Sequence, residues 1–167
     1  MIKSGSWKWL ALSAVIVALD QLTKYAVTAR FALGERLEVA PFFNLVLVYN
    51  RGAAFSFLSD QSGWQRGLFI AIAIAASSWI VYLLARYPYE RLFSLALALV
   101  LAGALGNVTD RILAGAVIDF LDFHAFGYHW PAFNVADSAI TCGAVLLIWD
   151  ALRPRKGQNL DAKAQSR

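Results

Sequence analysis

Two stretches of this 167-residue chain have no charged side chain over a length that can cross a lipid bilayer. One covers the 19 residues from Gly67 to Ala85, and the other covers the 18 residues from Leu92 to Thr109. A helix needs about 20 mostly apolar residues to span roughly 30 Å of hydrocarbon. The two stretches therefore predict membrane-spanning helices, which limits the chain to folds that are built within a bilayer.

The composition agrees with a membrane protein and excludes several other classes. Hydrophobic residues make up 59% of the chain and charged residues 16%, against about 45–50% and about 25% in soluble domains. These values argue against a disordered chain and an ordinary soluble enzyme. The single cysteine, Cys142, rules out a disulfide scaffold. The net charge of +4 does not indicate a nucleic-acid partner, because the lysines and arginines lie mostly between apolar runs and at the C-terminus.

Two shorter apolar runs reach spanning length only if they include ionisable residues. The run from Trp9 extends to Ala29 and takes in Asp20 and Lys24, which makes a retained helix a better interpretation than a cleaved signal peptide. The last run extends back to Phe133 and takes in Asp137. We therefore predict a single membrane-embedded, mainly α domain with four transmembrane helices at about 9–29, 67–85, 92–112 and 133–152.

The segments outside these helices differ in length and character. The outer loop, 30–66, is too long for a simple connection. Its segment 44–49 is β-branched and aromatic, which predicts a strand in a small extracytoplasmic β element, with a turn at 50–52 and a second apolar segment at 53–58. The basic tail, 153–167, is expected to be flexible.

The distribution of lysine and arginine predicts the orientation of the helices. With a cytoplasmic N-terminus, nine of these residues lie on the cytoplasmic side and five lie on the outer side. Because positive residues are enriched in cytoplasmic segments, we predict that both termini lie in the cytoplasm.

Apart from Glu35, Glu38 and Asp60 of the outer loop, five of the other eight acidic residues then fall toward the outer face of the membrane. They are Asp20, Asp110, Asp119, Asp122 and Asp137. An ionisable side chain at membrane depth costs roughly 2.5–3.5 kcal/mol on insertion scales unless it is paired or functional. A group of them at one level therefore predicts a functional site.

Structural roles are available for several of these residues. Asp20 and Lys24 are spaced i,i+4 and can neutralise each other on one helix face, and Asp110 and Arg111 can hold a helix end. Asp119, taken alone, is most simply a loop carboxylate. Asp137 lies at the entry to a helix, where capping and catalysis are equally good interpretations.

Taken together, Asp119 and Asp137 favour a site of paired carboxylates. Two such groups hold one proton between them, so that one can take a proton from water while the other polarises a carbonyl. This chemistry needs no metal and no cofactor. The two histidines, His124 and His129, do not form a zinc motif, and Cys142 has no neighbour that would activate it.

Five ordered segments of the chain resemble the motifs of the bacterial lipoprotein signal peptidase family, also called type II signal peptidase. The resemblance covers nearly the whole chain. The segments are Asp20-Gln-Leu-Thr-Lys24, Tyr49-Asn-Arg-Gly-Ala-Ala-Phe55, Gly103-Ala-Leu-Gly-Asn-Val-Thr-Asp-Arg111, Val117-Ile-Asp-Phe120 and Phe133-Asn-Val-Ala-Asp-Ser138.

The resemblance implies a multi-pass protein of the bacterial inner membrane. It also implies an intramembrane aspartic endopeptidase that cleaves prolipoproteins before a diacylglyceryl-modified cysteine. Asp119 and Asp137 match the catalytic pair of the family. Other positions match residues with expected roles in substrate binding or site support: Asp20, Lys24, Asn50, Gly52, Asn107, Asp110, Arg111 and Asn134. The implied partners are diacylglyceryl-modified prolipoprotein signal peptides and membrane lipid, with the active site near the outer face.

Three other functions remain as alternatives to this interpretation. A small proton-coupled transporter would also use intramembrane acids, but no inverted repeat is visible and the acids gather at one face. A structural membrane protein would tolerate the loss of either Asp119 or Asp137. Another type of intramembrane aspartyl protease would carry a Gly-x-Gly-Asp motif, which precedes neither residue.

Overall fold

Four long helices account for most of the residues that the computed structural model describes, which are 4–52 and 64–153. The helices are α1 (Trp7–Thr28), α2 (Trp64–Arg86), α3 (Arg91–Leu113) and α4 (Val135–Leu152). All four are long and apolar enough to cross a membrane. The prediction of four such helices is confirmed, and their ends differ from the predicted ones by at most three residues.

The start of α4 lies later than the sequence predicts, for a local reason. Phe133 pairs with Leu121 of a strand, and Asn134 has an extended backbone and caps the helix. The helix therefore begins at Val135 instead of Phe133.

Helix α3 is the central element of the bundle. Within its most apolar 18-residue window 56% of the residues are buried, compared with 17–22% in the other three helices. Glycines allow this close packing, because a Cβ on Gly103 would collide with the carbonyl oxygen of Ala136 in α4, and a Cβ on Gly106 would lie 2.6 Å from Asp20 Oδ2 in α1. The two glycines therefore let α1 and α4 approach the backbone of α3 closely.

The short connection between α2 and α3 is tied to the start of α1. Trp9 Nε1 donates a hydrogen bond of 2.9 Å to the carbonyl oxygen of Pro88, and Ser6 Oγ donates one of 3.0 Å to that of Leu84. A core of Ile80, Leu84, Leu97 and Leu101 lies at this end of the bundle.

A four-stranded antiparallel sheet lies at the opposite end. Its strands, in spatial order, are β1 (Arg36–Ala40), β2 (Phe43–Asn50), β3 (Val117–Ala125) and β4 (Tyr128–His129). The predicted strand at 44–49 is confirmed as part of β2. The segment at 53–58 lies outside the described residues.

Strand β3 corrects one interpretation made from the sequence. Asp119 is not in a loop: it lies in a nine-residue strand and pairs with Val48 of β2. The β element therefore combines strands that precede α2 with strands that follow α3. Its apolar side packs on the end of α1 through Val27, Leu47 and Phe120.

Candidate active site

Asp119 on β3 is almost completely buried, with 2% of its surface exposed. Asn134 Nδ2 donates a hydrogen bond of 2.7 Å to Asp119 Oδ1, and Asn50 Nδ2 donates one of 3.0 Å to Oδ2. Burial raises the pKa of Asp119 to about 7, and the nearby charge of Asp137 adds to the rise. The hydrogen bonds from Asn50 and Asn134 and the charge of Lys24 oppose it. This carboxyl group can therefore hold a proton near neutral pH.

Asp137 lies in the first turn of α4 and is half-buried. Its Oδ2 accepts a hydrogen bond of 3.3 Å from the backbone N–H of Asn134, and its own N–H donates one of 2.9 Å to Asn134 Oδ1. These two bonds form a capping box. Asn107 Nδ2 also donates a bond of 2.8 Å to Asp137 Oδ1. Capping thus fixes the side chain in place and does not remove it from the site.

Asn134 links the two aspartates directly. Its side chain is completely buried, and it contacts Asp119 through Nδ2 and the Asp137 backbone through Oδ1. Because Nδ2 also faces the carbonyl oxygen of Ile118 at 3.2 Å, the orientation of the amide is defined by acceptors on one side and a donor on the other. The structure therefore brings Asp119 and Asp137 into one hydrogen-bonded cluster.

Lys24 of α1 lies beneath this cluster and is 1% exposed. Its Nζ is 2.8 Å from Asp20 Oδ2 and 2.6 Å from Asp110 Oδ2. It also donates a bond of 3.2 Å to Asn107 Oδ1, whose amide nitrogen contacts Asp137. The predicted Asp20–Lys24 pair is present. Asp110 forms its ion pair with Lys24, while its other predicted role, a backbone contact, is met by the N–H of Ile118 just after the helix.

Asp20 and Asp110 each support a different part of the site. Asp20 Oδ1 accepts a bond of 2.8 Å from the backbone N–H of Ala136, in the first turn of α4. Asp110 Oδ2 accepts one of 3.2 Å from the N–H of Ile118, next to Asp119. The two acids thus connect the buried lysine to both elements that hold the candidate catalytic residues.

Gln21 is a member of this network that sequence reasoning did not single out. Its Nε2 donates to Asp110 Oδ1 at 2.9 Å and to Asp20 Oδ2 at 3.2 Å. Its position between Asp20 and Lys24 in the sequence could have identified it, because a polar residue close to two buried ionisable residues also needs hydrogen-bond partners.

Gly52 determines the direction of the Asn50 amide. Its N–H donates a bond of 2.9 Å to Asn50 Oδ1, which leaves Nδ2 to face Asp119. The φ of Gly52 is +106°, and a Cβ at this position would collide with the ring of Phe69. A side chain at position 52 would therefore displace the group that holds Asp119.

Arg111, in the last turn of α3, lies near Asp119 and Asp137. It is half-buried, and its Nη1 donates a bond of 3.3 Å to the carbonyl oxygen of Asn107. Its guanidinium lies 5.0 Å from the centre of the Phe69 ring. An arginine held over an aromatic ring next to two aspartates can bind a peptide carbonyl.

An open cleft of about 360 Å³ leads to Asp119. Its walls come from β2 and from the segment before α4. The lining residues are Val48, Tyr49, Asn50, Arg51, Asp119, Pro131 and Ala132. An extended peptide could therefore approach the buried carboxyl group along β2.

Asp122 belongs to a separate cluster on the sheet. It accepts a bond of 2.8 Å from Asn44 Nδ2, and its Oδ1 lies 2.8 Å from His129 Nδ1. Although burial raises the pKa of Asp122, the contacts with Asn44 and His129 outweigh it and lower the pKa. Within residues 4–52 and 64–153, no group of three or more His, Cys, Asp or Glu side chains is arranged to hold a metal ion.

Comparison with known proteins gives consistent matches over most of the chain. Residues 12–153 match the family described as "Signal peptidase (SPase) II". Proteins named lipoprotein signal peptidase from Burkholderia thailandensis and Burkholderia vietnamiensis are 60% and 61% identical over 149 residues, covering 89% of this chain and 90% of each relative.

Two solved structures, both described as a bacterial membrane enzyme obtained by the in meso method, have the same fold. The first is 37% identical, with a TM-score of 0.77 and coverage of 87% of both chains. The second is 36% identical, with a TM-score of 0.78 and coverage of 89% of this chain and 94% of that one.

Proposed function

Because this chain belongs to the signal peptidase II family, and is therefore a peptidase of a bacterial membrane, we propose that it removes signal peptides from lipid-modified prolipoproteins. Cleavage occurs before the diacylglyceryl-cysteine, and Asp119 and Asp137 act as an aspartic pair that activates water. The single observation that supports this mechanism best is the connection of the two carboxyl groups through the buried Asn134.

The proposed reaction begins with one proton shared by the pair and carried by Asp119. Asp137, which is half-buried and open to water, takes a proton from the attacking water molecule. The water oxygen bonds to the scissile carbonyl carbon, and the carbonyl oxygen receives the proton of Asp119. When the C–N bond breaks, Asp137 gives its proton to the leaving nitrogen and the new acid returns a proton to Asp119.

The surrounding residues hold the pair during these steps. Asn50, Asn107 and Asn134 donate to the carboxyl oxygens, and Lys24 fixes Asn107 from below. Arg111 is the proposed contact for the peptide backbone of the substrate. The fixed donors are organised before substrate binds, so little reorganisation is required in the transition state.

The position of the site fits a substrate anchored in lipid. The sheet and the cluster lie at one end of the four helices, and lysine and arginine counts favour this end as the outer face. A translocated signal peptide ends near that face, and its two acyl chains can remain in the bilayer while the peptide bond enters the cleft.

The experiment that tests the proposal compares three variants of the full chain in detergent. Asp119→Asn and Asp137→Asn should each slow the cleavage of a diacylglyceryl-modified prolipoprotein by about 10²–10⁴-fold or more, since proton transfer is lost. Asp122→Asn is the matched control, because Asp122 is also a buried acid on β3. It should cleave at nearly the normal rate.

The same assay, run on the precursor without its lipid, tests the substrate class. We expect cleavage to require the diacylglyceryl group. Normal cleavage by either of the two aspartate variants would refute the mechanism, and equal cleavage of both precursors would refute the substrate.

A further inference from the structure

The turn between β3 and β4 contains a side chain that its backbone disfavours. Its two central residues, Phe126 and Gly127, have φ values of 52° and 80°. Such turns prefer Asn-Gly or Asp-Gly, because a bulky residue is strained at positive φ. Phe126 is the only non-glycine residue with positive φ in the described part of the chain. A contact of the phenylalanine side chain would offset this backbone cost.

No described residue supplies that contact. The side chain of Phe126 is completely exposed, at 101% of its reference area. The turn lies seven residues beyond Asp119, or about 23 Å along a strand that rises about 3.3 Å per residue. Phe126 is therefore remote from the peptide bond that is cleaved, and its partner is not the reacting part of the substrate.

The hairpin that carries this turn has one apolar face, on which the ring of Phe123 contacts Phe43 and Phe133 but the rings nearer the turn are largely exposed. Ala125 pairs with Tyr128, and Trp130 N–H donates a bond of 2.8 Å to the carbonyl oxygen of Phe123, so these four residues share one face. Tyr128 is 83% exposed, Trp130 is 70% exposed and Phe123 is 41% exposed.

The other face of the hairpin is polar and bound to the sheet. His124 pairs with His129, and their rings stack with centroids 4.8 Å apart. His129 contacts Asp122, which Arg36 of β1 also approaches at 3.6 Å. The hairpin is therefore amphipathic: its polar face contacts the rest of the sheet, and on its aromatic face Tyr128 and Trp130 are largely exposed.

The position of the hairpin and its lack of charge identify the partner of the aromatic face. The segment from Ala125 to Phe133 contains no Asp, Glu, Lys or Arg. It connects α3 to α4, so it lies at the face where the chain leaves and re-enters the bilayer. Tryptophan and tyrosine are enriched at that depth of a membrane.

We propose that the hairpin 123–130 is an interfacial anchor, with Phe126, Tyr128 and Trp130 inserted among the lipid headgroups and upper acyl chains. Because Asp119 lies on the same strand, the anchor fixes the height of the candidate catalytic carboxyl group relative to the bilayer. The proposal concerns lipid contact and holds whether or not the peptidase mechanism above is correct.

Spin labelling of the full chain in vesicles of phosphatidylethanolamine and phosphatidylglycerol tests the anchor. A nitroxide is placed at position 126 in a Cys142→Ala background, and the control label is placed at the exposed Glu38 of β1. The ratio of oxygen to nickel-chelate accessibility should be several-fold higher at 126 than at 38. An equal ratio would overturn the proposal, because it would show that position 126 faces water. A label at 126 that neither reagent reaches would also overturn it, because it would show a protein contact.

A second variant separates lipid contact from folding. Phe126→Asn places a favoured residue in the turn, so the Tm should not fall. A label at Ala125 should nevertheless move toward the ratio seen at position 38, because the deepest side chain is lost. An unchanged ratio, or a clear loss of Tm, would show that Phe126 makes its contact elsewhere.

Discussion

The side chain of Asn134 holds the start of α4 and the Asp119 carboxyl group, and its backbone N–H contacts the Asp137 carboxyl group. It caps α4, accepts from Asp137 N–H and donates to Asp119. A single amide can do this because it has both donors and an acceptor. The two carboxyl groups differ in burial, since Asp119 is 2% exposed and Asp137 is half-buried.

The raised pKa of Asp119 predicts how cleavage depends on pH. The acid holds its proton up to a pH of about 7, above the ordinary value of 3.8. The singly protonated pair is therefore lost as pH rises through about 7, and kcat/KM should fall there. The same raised pKa makes the contribution of Asp119 to the stability of the folded state decrease as the pH rises from 3.8 to about 7.

Two variants check that the fall in kcat/KM near pH 7 is caused by the titration of Asp119. Asn50→Ala removes a hydrogen bond that lowers the pKa of Asp119, so the fall in kcat/KM should move to higher pH. Asp122→Asn should leave the pH at which kcat/KM falls unchanged. If kcat/KM shows no fall between about pH 5 and about pH 9, roughly two units on either side of the predicted value, the assignment is contradicted.

Lys24 is the residue whose loss should harm folding most. It neutralises two acids, Asp20 and Asp110, in a position that is 1% exposed. Removing one member of a buried ionic group costs about 3–5 kcal/mol, because the remaining charges have no partner. Lys24→Met should therefore lower the free energy of unfolding by this amount, measured by denaturation in detergent.

The control for Lys24 is the exposed Arg30, two residues beyond the end of α1. Arg30→Met should change the stability by less than about 0.5 kcal/mol. Equal effects of the two substitutions would show that the buried cluster does not stabilise the fold.

The contact between α3 and α4 is the element-level feature on which the site depends. Gly103 faces the carbonyl oxygen of Ala136, one residue before Asp137. Gly103→Ala must therefore separate the helices and should destabilise the protein by about 1–3 kcal/mol. It should also reduce cleavage, because Asp137 moves with the start of α4.

Gly67 of α2 provides a matched control for that substitution. Its added Cβ would meet nothing within 4 Å. Gly67→Ala should be neutral or should stabilise the helix by up to about 1 kcal/mol. If Gly103→Ala were as harmless in a thermal unfolding measurement, the close packing described above would be wrong.

The helices were predictable because each needs only local information. The length of the two charge-free stretches identifies α2 and α3. The number and direction of the spans then place the acidic residues near one face of the membrane. The pairing of Asp110 with Lys24 was not predictable, since two residues on different helices meet only after packing. Strand β3 was missed for a similar reason: its partner β2 lies before α2, and Asp119 breaks the apolar pattern of its segment.

Asp137 shows where sequence reasoning reaches an ambiguity that only coordinates resolve. Capping and catalysis were competing interpretations. The structure shows the capping box and a hydrogen bond from Asn107 to the same carboxyl group, so capping does not exclude catalysis, which stays a prediction. The direction of the Asn50 amide is another such detail. It depends on the backbone N–H of Gly52, a contact that spacing alone does not specify.

With four spans in the described part of the chain, we predict that residues 4 and 153 lie on the same side of the membrane, opposite the sheet. The excess of lysine and arginine predicts that this side is the cytoplasm. Single cysteines in the Cys142→Ala background test the orientation in intact cells. Glu38→Cys should react with a membrane-impermeant maleimide, and Arg153→Cys at the end of α4 should react only after lysis. The reverse pattern would place the site in the cytoplasm.

The joint action of Asp119 and Asp137 is tested most directly by the rate of cleavage of a diacylglyceryl-modified prolipoprotein by Asp119→Asn, Asp137→Asn and the double variant. Residues that act as one unit are strongly non-additive. The double variant should therefore be no more than a few-fold slower than the slower single variant. A double variant whose loss equals the product of the two single losses, or a single variant that cleaves at the normal rate, would contradict a shared-proton pair.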